Sequence, residues 1–212
     1  MRTFAPEQEI FDAQADHTAE FTVNASTNRF SSTAHGLAVN DVITLTNSGG
    51  ALPTGLSAAT YYYVIEVIDA DTFKVSTTPG GSTADPSDTG SGTHSFHEEY
   101  EGAPILVSDW KSLMLTVHTS DSASVTLYAK VAIADTKPTF INPASESNRT
   151  ATVMLINLED ATGVEGDDGI VIAGTDIAKA FKVNVDGAMW FTLVTKLFNA
   201  GQVTAKIKGL HE

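Results

Sequence analysis

The chain has 212 residues, a formal net charge of −14, 42% apolar residues and no cysteine. At about 100–200 residues per domain, it can form one large or two small domains. The acidic balance disfavours nucleic-acid binding, because affinity for phosphates comes from clustered lysine and arginine. The absence of cysteine excludes disulfides and thiolate metal sites, so packing must stabilise the fold.

Residues 1–20 are acidic and mixed, with Phe4, Ile10 and Phe11 as large apolar residues. The segment EIFDAQ can lie in a free arm or form the first strand of a later sheet, and both alternatives stay open. No run approaches the roughly 18 apolar residues that cross a bilayer, and the first residues lack the apolar core of a signal peptide. We therefore expect the protein to reside in the cytosol or in a particle assembled there.

Residues 21–97 are predicted to form a small β module. Within it, residues 42–46, 61–67 and 72–76 are rich in β-branched and aromatic side chains, which is typical of half-buried strands. The connection between the first two strands is a structured loop with residues that favour turns: Gly49, Gly50, Pro53 and Gly55. Residues 80–93 are rich in Gly, Ser, Thr, Asp and Pro, which predicts a long exposed loop.

Residues 98–212 are predicted to form the core domain, built from longer strands with alternating apolar and polar residues. Residues 113–118 and 125–133 are expected to pair as a hairpin across TSDSAS. Five further strands are predicted from the segments ATVMLINLED, GIVIAGT, AKAFKVNVD, AMWFTLVTKLF and QVTAKIKGL. Asp186-Gly187 and Asn199-Ala200-Gly201 are predicted turns, the second joining the last two strands as a hairpin.

The predicted fold is therefore all-β. Eight or so strands without a sustained helical period favour an antiparallel β-sandwich or jelly roll for the core domain. If EIFDAQ joins its sheet, the small β module is an insertion between the first and second strands of the sandwich.

Two clusters carry side chains that could bind a metal. His94, His97, Glu98 and Glu99 combine imidazole with carboxylate, but on a strand the two histidines point to opposite faces. We therefore interpret these four as solvated polar residues between the domains. The segment DATGVEGDDG, residues 160–169, has the composition of a calcium loop but fails the EF-hand pattern, so we interpret it as a charged hairpin loop. No metal or cofactor is predicted.

The sequence predicts no catalytic residue, because it contains no G-x-S-x-G elbow, P-loop or dinucleotide fingerprint. His35 lies beside a glycine and is interpreted as a structural residue of a turn. Trp110 and Trp190 could stack on a sugar, although an aromatic residue in an alternating strand is usually part of the core. The run Tyr61-Tyr62-Tyr63 must point to both faces of its strand, so at least one exposed ring is expected there, as a protein contact.

Several elements of the small module recur in a fixed order. They are the tetrapeptide Ala34-His35-Gly36-Leu37, a strand over 39–45, the GGALPTGL loop over 49–56, a YYV strand over 61–67 and a TFKV strand over 72–76. This succession resembles a β-barrel-like module that recurs in structural proteins of tailed bacteriophages, on tail, fibre and head proteins alike. The resemblance covers roughly residues 22–96 and implies a virion protein.

The resemblance, together with the lack of a reaction centre, predicts a non-enzymatic structural protein. The function we expect is that of a capsid decoration protein, an auxiliary or cement protein that binds the outer surface of the assembled phage head. Such proteins are commonly oligomeric, which implies the major capsid protein as partner and a homo-oligomer, with a trimer favoured. The alternative is a tail or tail-fibre component whose module binds a host glycan. Neither nucleic acid nor a membrane is an expected partner.

Overall fold

The computed structural model of the protein describes residues 3–134, 137, 140–141, 150–152, 155–157, 163–164 and 169–211. Over these ranges the regular secondary structure is β-strand, paired antiparallel. This part of the chain contains no helix of a length and hydropathy that would span a membrane. The predicted all-β class, a sandwich with a barrel-like module, is confirmed.

In chain order, the strands of the described residues are β1 (Thr3–Phe4), β2 (Gln8–Ala15), β3 (Thr18–Asn24), β4 (Arg29–Ser31), β5 (Val42–Ser48), β6 (Tyr62–Asp69), β7 (Thr72–Ser76), β8 (Thr93–Glu99), β9 (Ile105–Leu106), β10 (Ser112–Ala132), β11 (Thr150–Thr152), β12 (Leu155–Asn157), β13 (Gly163–Val164), β14 (Ile170–Asn184), β15 (Trp190–Asn199) and β16 (Gln202–His211). They belong to two units of the chain. The sandwich unit joins residues 1–16 to residues 100–212, and the inserted module comprises His17–Glu99.

The segment EIFDAQ lies in β2, which pairs antiparallel with β16. It is thus a strand of the sandwich unit and not a free arm. Because β2 and β9 both belong to that unit, the module is an insertion between these two strands.

Long strands form the centre of the sandwich unit. β10 lies in the middle. β14 pairs with one edge of β10, and the other edge pairs first with β16 and then, beyond Ser120, with β15. Just before the first residue of β10, the carbonyl of Lys111 accepts a hydrogen bond from the amide of Val185; at the last residue of β10, the carbonyl of Ala132 accepts one from the amide of Met189. The four residue steps from Val185 to Met189 span at most ~14 Å, whereas an extended strand of the length of β10 covers about 66 Å. β10 is therefore bent back on itself.

The bend lies at a corner formed by residues 119–124 of β10, 174–177 of β14 and 199–202 at the junction of β15 and β16. The register of pairing shifts at this level on both sides of β10. Positive φ angles also occur here, at Gly174, Asp176, Ala200 and Gly201. Bulges increase the local twist and let strands pass from one sheet to another, so one folded ribbon supplies both layers of the sandwich.

The two layers enclose a single apolar core. Every second residue of β10 points into it, on both sides of the corner: Leu113, Leu115, Val117, Val125, Leu127 and Ala129. The flanking strands contribute Phe181, Val183, Phe191, Leu193, Val203, Ala205 and Ile207. Burial of each large aliphatic or aromatic side chain contributes about 1.5–3 kcal/mol, which makes packing the main source of stability in a chain without cysteine.

Both predicted hairpins of the core domain are wrong. Residues 113–118 and 125–133 do not pair with each other; nearly all of this stretch belongs to β10. TSDSAS contains Asp and Ser, which are common in turns, but it lacks the glycine of a tight two-residue hairpin turn, and it forms the corner instead. The residues Asn199-Ala200-Gly201 do not reverse the chain either, because β15 and β16 pair with successive parts of β10.

The segments GIVIAGT and AKAFKVNVD, predicted as two strands, form the single strand β14. Gly174 and Asp176 adopt positive φ between them, but the chain continues in the same direction. The turn predicted at Asp186-Gly187 is present, with Gly187 at φ +81° and the amide of Ala188 donating to the carbonyl of Val185. Of ATVMLINLED, the described residues lie in β11 and β12.

The inserted module is a closed barrel with the strand order β3-β4-β7-β6-β5-β8. The three strands predicted from the sequence are confirmed as β5, β6 and β7, and no strand lies between β7 and β8, as expected for the long loop. Closure leaves no free sheet edge. The module has its own apolar core, formed by Phe21, Val23, Phe30, Leu37, Ile43, Leu45, Leu56, Tyr62, Val64, Phe73, Val75 and Phe96.

Candidate functional site

His35 is buried in the module, at the turn that precedes β5. Its Nδ1 accepts a hydrogen bond from the amide of Leu37 at 3.0 Å, and its Nε2 donates to the carbonyl of Asp69 at 3.1 Å. This pattern requires the neutral tautomer with the proton on Nε2. The ring also packs against Phe73, with 4.9 Å between centroids. His35 thus joins two turns of the barrel.

The cluster of histidine and glutamate on β8 is not solvated, which corrects the interpretation from the sequence. His94, His97 and Glu99 are buried. The ring nitrogens of His97 bond to the hydroxyls of Thr18 and Thr46, at 3.0 and 2.9 Å. Sequence reasoning missed these partners because they lie on β3 and β5, far from His97 in the chain.

The remaining members of this cluster are also engaged within the module. The ring of His94 bonds to the side chain of Asn47 and the carbonyl of Thr89, at 2.7 and 3.0 Å. Oε2 of Glu98 accepts a hydrogen bond from Nδ1 of His17 at 2.6 Å. Among the described residues, no group of three metal-ligating side chains comes together.

The other residues considered from the sequence lie apart from one another. Within 160–169, only Gly169 and the short strand β13 are described, so the acidic loop lies largely outside the described residues. Trp110 is buried in the sandwich core, and the indole nitrogen of Trp190 donates to the carbonyl of Ala134 at 3.0 Å.

The tyrosine run is less exposed than expected. Tyr62 lies inside the barrel, where its hydroxyl accepts a hydrogen bond from the amide of Ser57 at 2.9 Å. Tyr63 is buried as well, and burial raises the pKa of its hydroxyl. Tyr61 is partly exposed. The expectation of at least one exposed ring therefore rests on Tyr61 alone, because Tyr62 and Tyr63 are covered on both faces of β6.

A groove of about 720 Å³ opens on the surface of the module where β3 and β8 separate. The pairing of β3 with β8 runs from the Thr18/His97 pair to the Phe21/His94 pair, and it ends there. The next residues of β3, from Thr22 onward, pair only with β4, and Thr93 of β8 pairs only with Ser48 of β5. The groove lies at this divergence. Its lining consists of Glu20, Phe21, Thr22, Val23, Ser31, Ser32, Thr33, Asp71, Thr89, Gly90, Ser91, Gly92, Thr93 and His94.

One wall of the groove is the loop of residues 89–93, which is held from behind. Asp88 accepts hydrogen bonds from the hydroxyl of Thr54 at 2.6 Å and from the amides of Thr54 and Gly90 at 2.9 Å. These bonds, first of all that from the Thr54 hydroxyl, lower the pKa of the Asp88 carboxyl. The carbonyl of Ser91 accepts a hydrogen bond from the side chain of Asn47 at 2.8 Å.

The opposite wall consists of residues 31–33 and Asp71. The carbonyl of Asp71 accepts a hydrogen bond from the amide of Ser32 at 2.9 Å, and its carboxylate accepts one from the amide of Ala34 at 2.7 Å. Both walls are thus fixed by hydrogen bonds inside the module. Sequence reasoning missed the groove because 31–33 and 89–93 are more than fifty residues apart. The available signal was the repetition of hydroxyl residues in both segments; residues 89–93 were interpreted only as part of an exposed loop, and residues 31–33 were given no role.

No family model and no curated protein matches the chain. Several solved structures align with it, among them the following three. The SPBc2 prophage-derived protein YomS has 14% identity and a TM-score of 0.37, over 53% of this chain and 81% of YomS. The PBSX exported protein XepA has 9% identity and a TM-score of 0.35, over 99% and 81%. The adhesin domain of Epf from Streptococcus pyogenes has 9% identity and a TM-score of 0.30, over 98% and 64%. At these values the similarity assigns no function to the chain.

Proposed function

We propose that the protein is a structural component of a tailed-bacteriophage virion, and specifically a decoration protein on the outer surface of the assembled head. The observation that carries this proposal is the architectural role of the phage-like sequence elements. His35 joins two turns, Tyr62 and Phe73 lie in the barrel core, and the loop between β5 and β6 joins two strands of the closed barrel. The residues that carry the resemblance therefore build a module rather than a reaction centre.

The proposed mechanism is adhesion. The histidines buried in the module use both ring nitrogens in internal hydrogen bonds, which favours a structural role over proton transfer. On the sandwich unit, exposed apolar side chains are available for contacts with another protein: Leu106, Met114, Ile133 and Val171. A protein that binds only the assembled shell stabilises it by mass action.

The proposed partner is the major capsid protein, and the proposed state is a homo-oligomer, with a trimer favoured. Both follow from the resemblance to phage structural proteins. A closed oligomer that crosses the borders between shell subunits would link several of them at once. Its binding would oppose rupture of the shell under the pressure of packaged DNA.

The test is to add the purified protein to phage heads, and separately to tails, obtained from particles that lack it. We expect saturable co-sedimentation with heads at hundreds of copies, and added density on the outside of the shell by cryo-electron microscopy. Binding to tails alone, at a few to dozens of copies, would support a tail or tail-fibre component instead. Turnover of a substrate that disappears when one acidic or imidazole side chain is replaced would refute a structural role.

A further inference from the structure

We propose that the groove between β3 and residues 89–93 of the module is a binding site for a neutral saccharide. Seven residues of the lining carry hydroxyl groups: Thr22, Ser31, Ser32, Thr33, Thr89, Ser91 and Thr93. The Ser91 hydroxyl also accepts a hydrogen bond from the amide of Ala51 at 3.2 Å. Each hydroxyl can both donate and accept a hydrogen bond, which matches the paired donor and acceptor character of sugar hydroxyls. The groove has the size of typical small-ligand sites, which are about 300–1,000 Å³.

The charges of the lining select against anions. Glu20 and Asp71 contribute carboxylates, and the lining contains neither lysine nor arginine. The whole module has only two such cations, Arg29 and Lys74, and the latter forms an ion pair with Glu66 at 2.8 Å. Like charges disfavour a second anion, whereas a carboxylate accepts hydrogen bonds from neutral hydroxyls. Phosphorylated and sialylated sugars are therefore expected to bind less well than their neutral counterparts.

The lining also includes apolar surface. Phe21 and Val23 belong to the barrel core and line the groove, where the Phe21 and His94 rings lie 5.5 Å apart, but only 3% of Phe21 and 6% of Val23 is exposed. These two side chains therefore offer little surface for stacking with a sugar ring, and hydrogen bonds to the hydroxyl residues carry the proposed binding. The inference does not involve Trp110 or the tyrosine run, which do not line this groove.

The walls of the groove are preorganised. A Cβ atom on Gly90 would lie 2.6 Å from the carbonyl oxygen of Ala51, so the loop can approach the residues behind it only with glycine at this position. Asp88 and Asp71 fix the two walls through hydrogen bonds to backbone amides. A rigid site loses little conformational entropy on binding, which favours a built ligand site over an incidental surface depression.

The test uses the full-length protein and a panel of neutral oligosaccharides: lactose, maltotriose, cellobiose and chitobiose, with 3′-sialyllactose as the matched anionic probe. Binding is followed by saturation-transfer NMR and by amide shifts of residues 20–23 and 89–93. We expect at least one neutral sugar to bind and to shift these amides, and sialyllactose to bind more weakly than lactose. If no neutral sugar of the panel binds, or if the shifts lie elsewhere, the proposal is wrong.

Variants test the groove directly. Thr22→Val removes one hydroxyl without changing the shape of the side chain and should weaken sugar binding about three- to tenfold, the effect of one hydrogen bond. Thr77→Val, on an exposed residue outside the lining, is the matched control and should leave binding unchanged. Glu20→Gln should retain neutral sugars and improve the binding of sialyllactose. Equal effects of Thr22→Val and Thr77→Val would overturn the assignment, whereas binding to phage heads tests the proposed function independently.

Discussion

His35 is an imidazole used as a structural connector. Its two ring nitrogens satisfy a backbone amide and a backbone carbonyl from different turns; the ring and the amide of Leu37 are buried, and the bond to the carbonyl of Asp69 is partly buried. A buried polar group that loses its partner pays the full cost of desolvation, about 1–3 kcal/mol. The position therefore requires a side chain that can donate at one end and accept at the other, with the size of an aromatic ring.

We predict that His35→Ala destabilises the module by about 2–4 kcal/mol, from the lost ring packing and the unsatisfied buried amide of Leu37. Amide hydrogen exchange over residues 17–99 measures the effect. Tryptophan fluorescence does not report on it, because both tryptophans lie in the sandwich unit. His118→Ala is the matched control: His118 is exposed, so its loss should change stability by no more than about 0.5 kcal/mol. Equal protection in both variants would contradict the structural role of His35.

At the scale of elements, the sequence did not predict the corner of the sandwich unit. Alternation correctly assigned strands to both halves of β10, and the buried residues keep to odd positions from Leu113 to Ala129. The polar run TSDSAS resembles a hairpin loop in composition, but its neighbours on both sides pair with β14. The choice between a hairpin and a bulged corner depends on which strands flank β10, and that is set by contacts distant in sequence.

The module was predicted more completely because its signals are local. Gly49 and Gly50 follow β5, the Asp69–Asp71 turn separates β6 from β7, Pro79 and Gly80 come shortly after β7, and β-branched and aromatic runs fill the strands. The groove was not predicted, because its lining combines segments that are distant in sequence. Thr22 and Ser31 are partners in the pairing of β3 with β4, but Thr93 joins them only when β8 closes the barrel, and nothing in the individual segments indicates that they share a site.

Two glycines of the sandwich unit provide a test of the corner. Gly201 and Gly187 have nearly equal φ angles, +80° and +81°. A Cβ on Gly201 would lie 2.6 Å from the carbonyl oxygen of Ser120, whereas a Cβ on Gly187 meets nothing within 4 Å. Both Gly→Ala variants therefore carry the cost of a positive φ, about 1–2 kcal/mol, but only Gly201→Ala must also displace β10.

We predict that Gly201→Ala is less stable than Gly187→Ala by a further 1–3 kcal/mol, roughly the cost of overpacking a close contact. Urea unfolding followed by tryptophan fluorescence measures the difference, since Trp110 and Trp190 both lie in the sandwich unit. If the two variants are equally stable, the close approach of Gly201 to β10 is not essential to the corner.

At the scale of the whole molecule, each unit has the components of an independent fold. The module is a closed barrel with its own core, and the sandwich unit encloses a separate core. The two ends of the insertion are each fixed to the sandwich unit. The amide of Asp16 donates to the carbonyl of Gly201, and the amide of Tyr100 donates to the hydroxyl of Thr195. These attachment points are six residues apart along the chain, about 20 Å if it is extended.

We predict that replacing residues 17–99 by a flexible linker of about eight glycine and serine residues, with a typical reach near 16 Å, leaves the sandwich unit folded. The free energy of unfolding by tryptophan fluorescence should stay within about 1 kcal/mol of the full chain, because the cost of loop closure varies slowly with loop length. Near-UV circular dichroism is the control for fixed packing. A variant with strand content but no near-UV signal would mean that the sandwich core depends on the module. If the variant folds but no longer binds phage heads, the adhesive surface lies on the module.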